Sequence, residues 1–298
     1  MTKDRFPKRI ALATDLSHRC DRALDRSLLL ATAWQAELMV IHALAPPENA
    51  TLFGRPDDVP SWRRPPDPIR AARDHIYRDL IRENPSADIT VQVETGSPAE
   101  VVLTAAKQAG PGLIVTGVAR DELLARVFLG DTVERLIRKS TIPILIVRDR
   151  AFEPYKSMLV TTDFSQSSRV ALEWAVRMFP DAALSLFHAD DVPFAGYLGR
   201  SEVERQFEDF GKDAADKFLA EAGLSTTAAQ QVNRVVEHGS PEALLRDYAE
   251  KSRRHLTVVG THGGGFIYEA LIGSTARKII DAVPGDVLLV PDPAKRKT

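Results

Sequence analysis

One pattern runs through this 298-residue chain twice, and that duplication limits its fold more than any other feature. IALATDLS at 10–17 returns as MLVTTDFS at 158–165, LMVIHAL at 38–44 as LSLFHAD at 184–190, and ETGSPAEVVLTAA at 94–106 as EHGSPEALLRDYA at 237–249. The strand of LIVTGVAR at 113–120 matches that of TVVGTHG at 257–263, and FLGDTVERLI at 128–137 matches LIGSTARKII at 271–280. Two homologous halves follow, 1–150 and 151–298, joined near 149–155. Each falls in the size range of an ordinary single domain.

Within each half, apolar runs of strand length alternate with longer stretches of helical period, the pattern of βαβ units in a parallel sheet. The fold class expected is α/β, with five strands per half, near 9–13, 37–42, 88–94, 112–116 and 143–148, then near 157–161, 183–188, 230–236, 255–259 and 286–290. The first half carries an insertion at 45–68 with seven prolines in 24 residues, which excludes regular helix or central strand there. It reads as an irregular surface excursion. Its shorter counterpart, 190–202, contains Pro193, Gly196 and Gly199. The segment 201–222 places Val203, Phe207, Phe210, Ala214, Phe218 and Leu219 close to a 3.6-residue period. Its polar face is acid-rich, so a core-facing helix is expected rather than one lying on anionic lipid.

Composition removes several function classes. With 44% hydrophobic and 27% charged residues the chain can bury a core, and with a net charge of -2 neither half is basic enough to advertise nucleic-acid binding. Cys20, the single cysteine, excludes an internal disulfide framework and any CxxC zinc or redox motif. The start, MTKDRFPKRI, lacks the apolar region of a signal peptide, and no run approaches the roughly 20 apolar residues of a membrane span. A cytoplasmic location with no membrane partner is the expectation.

The chemistry-bearing string lies in the second half. Gly260 and Gly263 follow an apolar strand, and Gly273 and Ser274 open a helical stretch. Glycines after a strand let backbone amides approach an anion, and a helix start adds donors and partial positive charge. Ser274 can cap that helix and donate its hydroxyl to phosphate. The P-loop string GxxxxGK[ST] does not occur.

The G-x2-G-x9-G-S string, the strand-end aspartate of VTTDFS, the HGSP turn and the terminal apolar strand together resemble the universal stress protein family, in its tandem form. The resemblance covers both halves apart from 45–68. It implies two open, Rossmann-like parallel sheets of strand order 3-2-1-4-5, with ATP bound in some members at the carboxyl ends of strands one and four, the switch point of such sheets. Carried onto this sequence, Asp163 meets the ribose side, with Thr161 and Thr162 leading into the site. Ala189 and Asp190 flank adenine, and Gly260, Gly263, Gly273, Ser274 and Thr275 line the phosphates. His262 lies inside the phosphate loop. Thr161 stands where the family usually has proline. In the first half Gly117 and Gly130 remain, but Arg120 replaces the second glycine and Asp131 the serine, which points to a degenerate site.

Simpler roles are open for several of these residues. The glycines can serve tight turns alone. Asp15 and Asp163 can close Asx-turns without a ligand. His42 and His188 end equivalent strands, and with His238, His262 and Asp190 they show no HxxxH or HExxH spacing, so structural histidines are expected and no metal site. Cys20 can be a low-pKa thiol near a helix start or a small apolar residue.

The function expected is that of a tandem stress-response sensor binding ATP or a related adenine nucleotide, with or without magnesium, in 151–298. No nucleophile–base pair is visible, so no catalytic residue is assigned and hydrolysis is expected to be slow at most. The alternatives are a nucleotide-dependent enzyme, an ATPase or adenylyl transferase, on the same sheet, and a scaffold that presents 45–68 to a protein partner of unknown kind. The two final strands are expected to pair within one chain as a pseudo-dimer, with a homodimer also open.

Overall fold

A computed structural model of the chain describes residues 6–17, 20–45, 67–78, 87–110, 112–121, 126–190, 200–252, 255–261 and 274–291, with backbone alone at 119–121, 126–128, 190, 200–210 and 274–276. Nearly all of the 45–68 insertion, and residues 191–199, lie outside the described residues. The first half contributes β1 (Arg9–Thr14), β2 (Glu37–Leu44), β3 (Ile89–Thr95) and β4 (Leu113–Gly117), a short antiparallel hairpin of β5 (Ala119–Asp121) and β6 (Arg126–Phe128), and β7 (Ile144–Val147). The second contributes β8 (Ser157–Thr161), β9 (Ala183–Asp190), β10 (Asn233–His238), β11 (Leu256–Gly260) and β12 (Asp286–Val290). Ten of these strands form one sheet in the order β10-β9-β8-β11-β12-β7-β4-β1-β2-β3. Each half therefore has the expected order 3-2-1-4-5, all parallel within the half.

Nine helices are described. In the first half α1 (Asp21–Trp34), α2 (Pro68–Ile76), α3 (Pro98–Ala109) and α4 (Asp131–Lys139) occur, and in the second α5 (Gln166–Met178), α6 (Arg200–Glu221), α7 (Thr226–Gln230), α8 (Pro241–Lys251) and α9 (Ser274–Ala282). Successive strand residues feed opposite faces. One face gathers Ile10, Leu12, Leu145, Val160, Val258 and Leu288 under α1, α5 and α6, and the other gathers Ile114, Ile144, Ile146, Val259 and Leu289 under α3, α4, α8 and α9. Strands covered on both faces read as continuous apolar runs, which is why the sheet is visible in the sequence. The helix at 200–221 buries Phe218 and Leu219 of its expected stripe, and buries Ala215 more fully than the half-buried Ala214 that the stripe named.

Two differences from the sequence expectation have local causes. The β5–β6 hairpin lies in a stretch with neither period-two alternation nor β-branched enrichment on its first strand. The third strand of the second half starts at Asn233 rather than 230, because Ser225 caps the short α7 by accepting the Ala228 amide at 3.2 Å and carries the chain helically to Gln230.

The halves meet where β7 and β12 pair antiparallel, Leu145 opposite Leu288. Beside this seam lies a buried polar knot. The wholly buried Asp286 carboxylate accepts the Arg148 and Asp149 amides at 2.7 and 3.0 Å through one oxygen; the other accepts the Tyr155 hydroxyl and faces Arg26 Nε at 3.4 Å. Arg26 also covers the Tyr155 ring at 4.0 Å and donates to the Glu153 carbonyl at 2.9 Å. The Arg148 guanidinium donates to the Ile280 and Val283 carbonyls at 2.6 Å each, closing the carboxyl end of α9, where a cation is favoured. Burial raises the Asp286 carboxyl above the ordinary aspartate range, against the Arg148, Tyr155 and Asp149 donors and the Arg26 charge. An aromatic row continues the seam, Phe6 on Trp34, Trp34 on Phe179 and Phe179 on Tyr155.

Removing one member of a buried charge set strands its partners. Asp286→Ala is expected to destabilise the chain by about 3–5 kcal/mol in urea unfolding, whereas Tyr155→Phe costs about 1–3 kcal/mol, the desolvation penalty of one unsatisfied group.

Candidate functional site

Beyond β1 and β8 the chain makes the same turn twice. In the second half Thr162 Oγ1 accepts the Phe164 amide at 2.8 Å, and Asp163 Oδ1 accepts the Ser165 amide at 3.1 Å. In the first, Thr14 Oγ1 accepts the Leu16 amide at 3.0 Å, and Asp15 Oδ1 the Ser17 amide at 2.9 Å. Leu16 and Phe164 sit at φ 61° and 62°, a left-handed conformation that non-glycine residues hold only where such bonds fix it. The Asx-turn is thus present at both aspartates. It leaves Asp163 exposed at the strand end.

The histidines explain the turns from below. His42 Nδ1 lies 2.9 Å from the Thr14 carbonyl and His188 Nδ1 2.8 Å from the Thr162 carbonyl, which assigns the proton to Nδ1 in each. They are structural, as the spacing implied. Phe164 lies between the His188 ring at 4.4 Å and the Phe218 ring at 5.7 Å.

After the turn, α5 begins under a Ser165 cap whose hydroxyl accepts the Ser168 amide at 3.3 Å. Its first turn passes close to the end of β11. A Cβ on Gly260 would stand 2.9 Å from Ser167 Oγ and 3.0 Å from the Ser167 carbonyl oxygen, so glycine is required there for packing. The sequence offered phosphate approach or a tight turn as the reason for this glycine, and helix contact was missed. A glycine ending one strand opposite a small residue in the neighbouring helix was the available signal.

Of the other residues singled out, Thr161 and Thr162 are buried, Thr161 Oγ1 donating to the Val258 carbonyl at 3.3 Å and Thr162 Oγ1 meeting Ser168 Oγ at 3.0 Å. Their hydroxyls hold β8 to β11 and to α5. Ala189 is half-buried near the end of β9. Asp190 ends β9, and Ser274 and Thr275 open α9, the side chains of all three lying outside the described residues, as do His262, Gly263 and Gly273 altogether. The structure therefore brings together Thr161, Thr162, Asp163 and Gly260 at neighbouring ends of β8 and β11. That is the switch point, since β9 lies on one side of β8 and β11 on the other.

The sequence model of the universal stress protein family matches residues 7–148 and again 154–291. The chain belongs to this family. A universal stress protein of Mycolicibacterium smegmatis is 24% identical over 298 residues, 94% of this chain and 96% of that one. The stress response protein NhaX of Bacillus subtilis is 29% identical over 161 residues, covering 97% of its own length and 47% of this chain, the relation of one half to a single unit. Among solved structures, a universal stress protein from Pseudomonas aeruginosa superposes with a TM-score of 0.68 at 20% identity, covering 98% of this chain and 95% of that one.

The two universal stress protein units differ where the glycine string ends. Asp131 is the first residue of α4 under a Gly130 cap, with Glu134 one turn on, so a carboxylate stands at the positive end of that helix. In the second unit Ser274 occupies the corresponding place in α9. The first unit's segment between Gly117 and Gly130 forms the β5–β6 hairpin, with β6 lying against α9 of the second unit. Among the described residues no group of three His, Cys, Asp or Glu side chains could hold a metal ion, and no helix is long and apolar enough to cross a membrane.

Cys20 takes the place that Ser168 has in the second unit and donates its thiol to Asp15 Oδ1 at 3.2 Å. Burial, with the Asp15 charge beside it, pushes that thiol up from 9.0 to about 11. It is therefore not the low-pKa thiol that its place near a helix start allowed. Asp15 goes the other way, the Ser17 and Cys20 hydrogen bonds outweighing burial.

Alkylation of native Cys20 by iodoacetamide at pH 8 is expected to run about a hundredfold slower than in the urea-unfolded chain, since the thiolate fraction falls tenfold per pH unit below the pKa. Gly260→Ala is expected to cost about 1–3 kcal/mol by overpacking, readable in thermal unfolding.

Proposed function

We propose that the chain is a nucleotide-responsive stress protein that binds ATP or a related adenine nucleotide in its second half, 151–298, and not in its first, 1–150. The observation that supports this most is that, of two units with an exposed aspartate at the switch point and a glycine ending the fourth strand, only the second has its next helix open on Ser274 rather than on a carboxylate. The residues fit a nucleotide. Asp163 takes the ribose hydroxyls, Ala189 and Asp190 flank the base, and Gly260, His262, Gly263, Gly273, Ser274 and Thr275 surround the phosphates. Thr161 and Thr162 form the floor, their hydroxyls already used inside the protein.

In the first half, Asp131 at the start of α4 supplies the negative charge that a phosphate would otherwise bring. Two like charges at 4 Å repel by about 1 kcal/mol in water and about 4 kcal/mol at an effective dielectric of 20, enough to remove ordinary affinity. The chain acts in the cytoplasm on this reading, and magnesium enters only with the nucleotide. No described residue is placed to deprotonate a water at the phosphate end, since Asp163 belongs to the ribose.

Isothermal titration of the full chain with ATP should show one site, abolished by Gly263→Arg with Ser274→Asp and unaffected by changes at Asp131. Affinity surviving the double change would move the site elsewhere. Single-turnover hydrolysis with magnesium should run well below the enzyme median of about 10 per second. A fast wild-type rate that collapses in His262→Ala would make the protein an ATPase instead.

A further inference from the structure

We infer that the seam between the halves accepts only unlike partners: the first half is built to pair with the second half and to reject a copy of itself. The inference stands apart from nucleotide binding and rests on the internal symmetry of the interface. β7 and β12 cross with Leu145 opposite Leu288, Ile144 opposite Leu289 and Ile146 opposite Val287. Leu145 and Leu288 are the same position of the repeat, because β4 pairs Ile114 with Ile144 and β11 pairs Thr257 with Val287 in matching register. An approximate two-fold axis therefore passes through that residue pair, as in an isologous dimer, where each position on the axis meets itself.

On that axis this chain has made one repeat position complementary to itself. Arg277 on α9 pairs with Glu134 on α4 at 2.7 Å, and both are the fourth residue of their helices. Two first halves would set Glu134 against Glu134, and two second halves Arg277 against Arg277.

The buried knot repeats the rule with more force. Its cations, Arg26 and Arg148, come from the first half, and Asp286 with Tyr155 from the second, all at most 5% exposed. The repeat equivalents carry no such groups: Pro143 stands in the place of Asp286, Pro291 in that of Arg148 and Trp174 in that of Arg26. A pair of first halves would bury two Arg26 guanidinium groups without a carboxylate, and a pair of second halves would bury two carboxylates without a cation. Buried charge left unpaired is the strongest form of discrimination against a wrong partner.

The test uses full-length chains in a Cys20→Ser background carrying Glu134→Cys or Arg277→Cys, unfolded, mixed at high concentration, refolded and treated with a short bis-maleimide. The chain with both cysteines should cross-link internally. Mixed single-cysteine chains should give 134–277 products, with 134–134 and 277–277 products at least tenfold rarer. Like products as abundant as mixed ones would overturn the inference. Replacing the knot by Arg26→Met, Arg148→Met and Asp286→Leu should raise the like products toward parity, and an unchanged ratio would likewise overturn it. Should that variant not fold, Glu134→Arg and Arg277→Glu supply the reading without touching the core. Each alone should lower the urea midpoint and the two together restore it. A double variant no better than the singles would overturn the pairing rule on the axis.

Discussion

The join between the two halves is organised around a charge taken out of water. Asp286 opens the last strand of the second half with no exposure at all, and a carboxylate in that position survives only with its oxygens occupied. The occupants come from the end of β7, from the linker and from α1, so burying this one group fixes the first half, the connection and the second half together. Arg148 carries the constraint onward, because its guanidinium closes the end of α9 and so ties the helix that follows the glycine string to the strand ending the other half. A purely apolar seam of β7 on β12 would hold as well, but it would not set apart which half meets which.

Duplication explains how the two ends of the sheet diverged without losing the fold. The Thr-Asp-x-Ser turn and the histidine beneath it are kept in both halves, since they satisfy backbone groups that any βα junction of this shape leaves open. At the candidate site, what differs lies past the fourth strand. There a hairpin and Asp131 complete the first half, while glycines and Ser274 complete the second. A helix start favours negative charge, which Asp131 supplies in the first half and which Ser274 does not supply in the second.

The candidate site was legible to the extent that its residues are glycine, serine and aspartate at strand ends, residue types whose backbone consequences can be read locally. The strand-end turn at Asp163 was read this way, and so was the contrast between Ser274 and Asp131. The role of Gly260 was not, because the reason for it is Ser167, ninety-three positions earlier in the chain and beside it only after β8 and β11 have paired. Cys20 was ambiguous for a related reason. Its spacing placed it near a helix start, but its thiol is governed by burial and by Asp15, and burial is not a local property.

By itself the sequence determined the two units and their ten sheet strands, because a strand covered on both faces must be apolar throughout and a repeat must fold alike twice, while the order within each half followed from the resemblance to the universal stress proteins. That the final strands join the units was already expected, and β7 on β12 bears it out; tertiary structure alone decided which polar groups sit in the join. Arg26, Arg148, Tyr155 and Asp286 are spread over 260 residues, and nothing in their neighbours marks them as partners. Charge pairing in a core depends on distance and on the exclusion of water, and both arise only when the chain has closed.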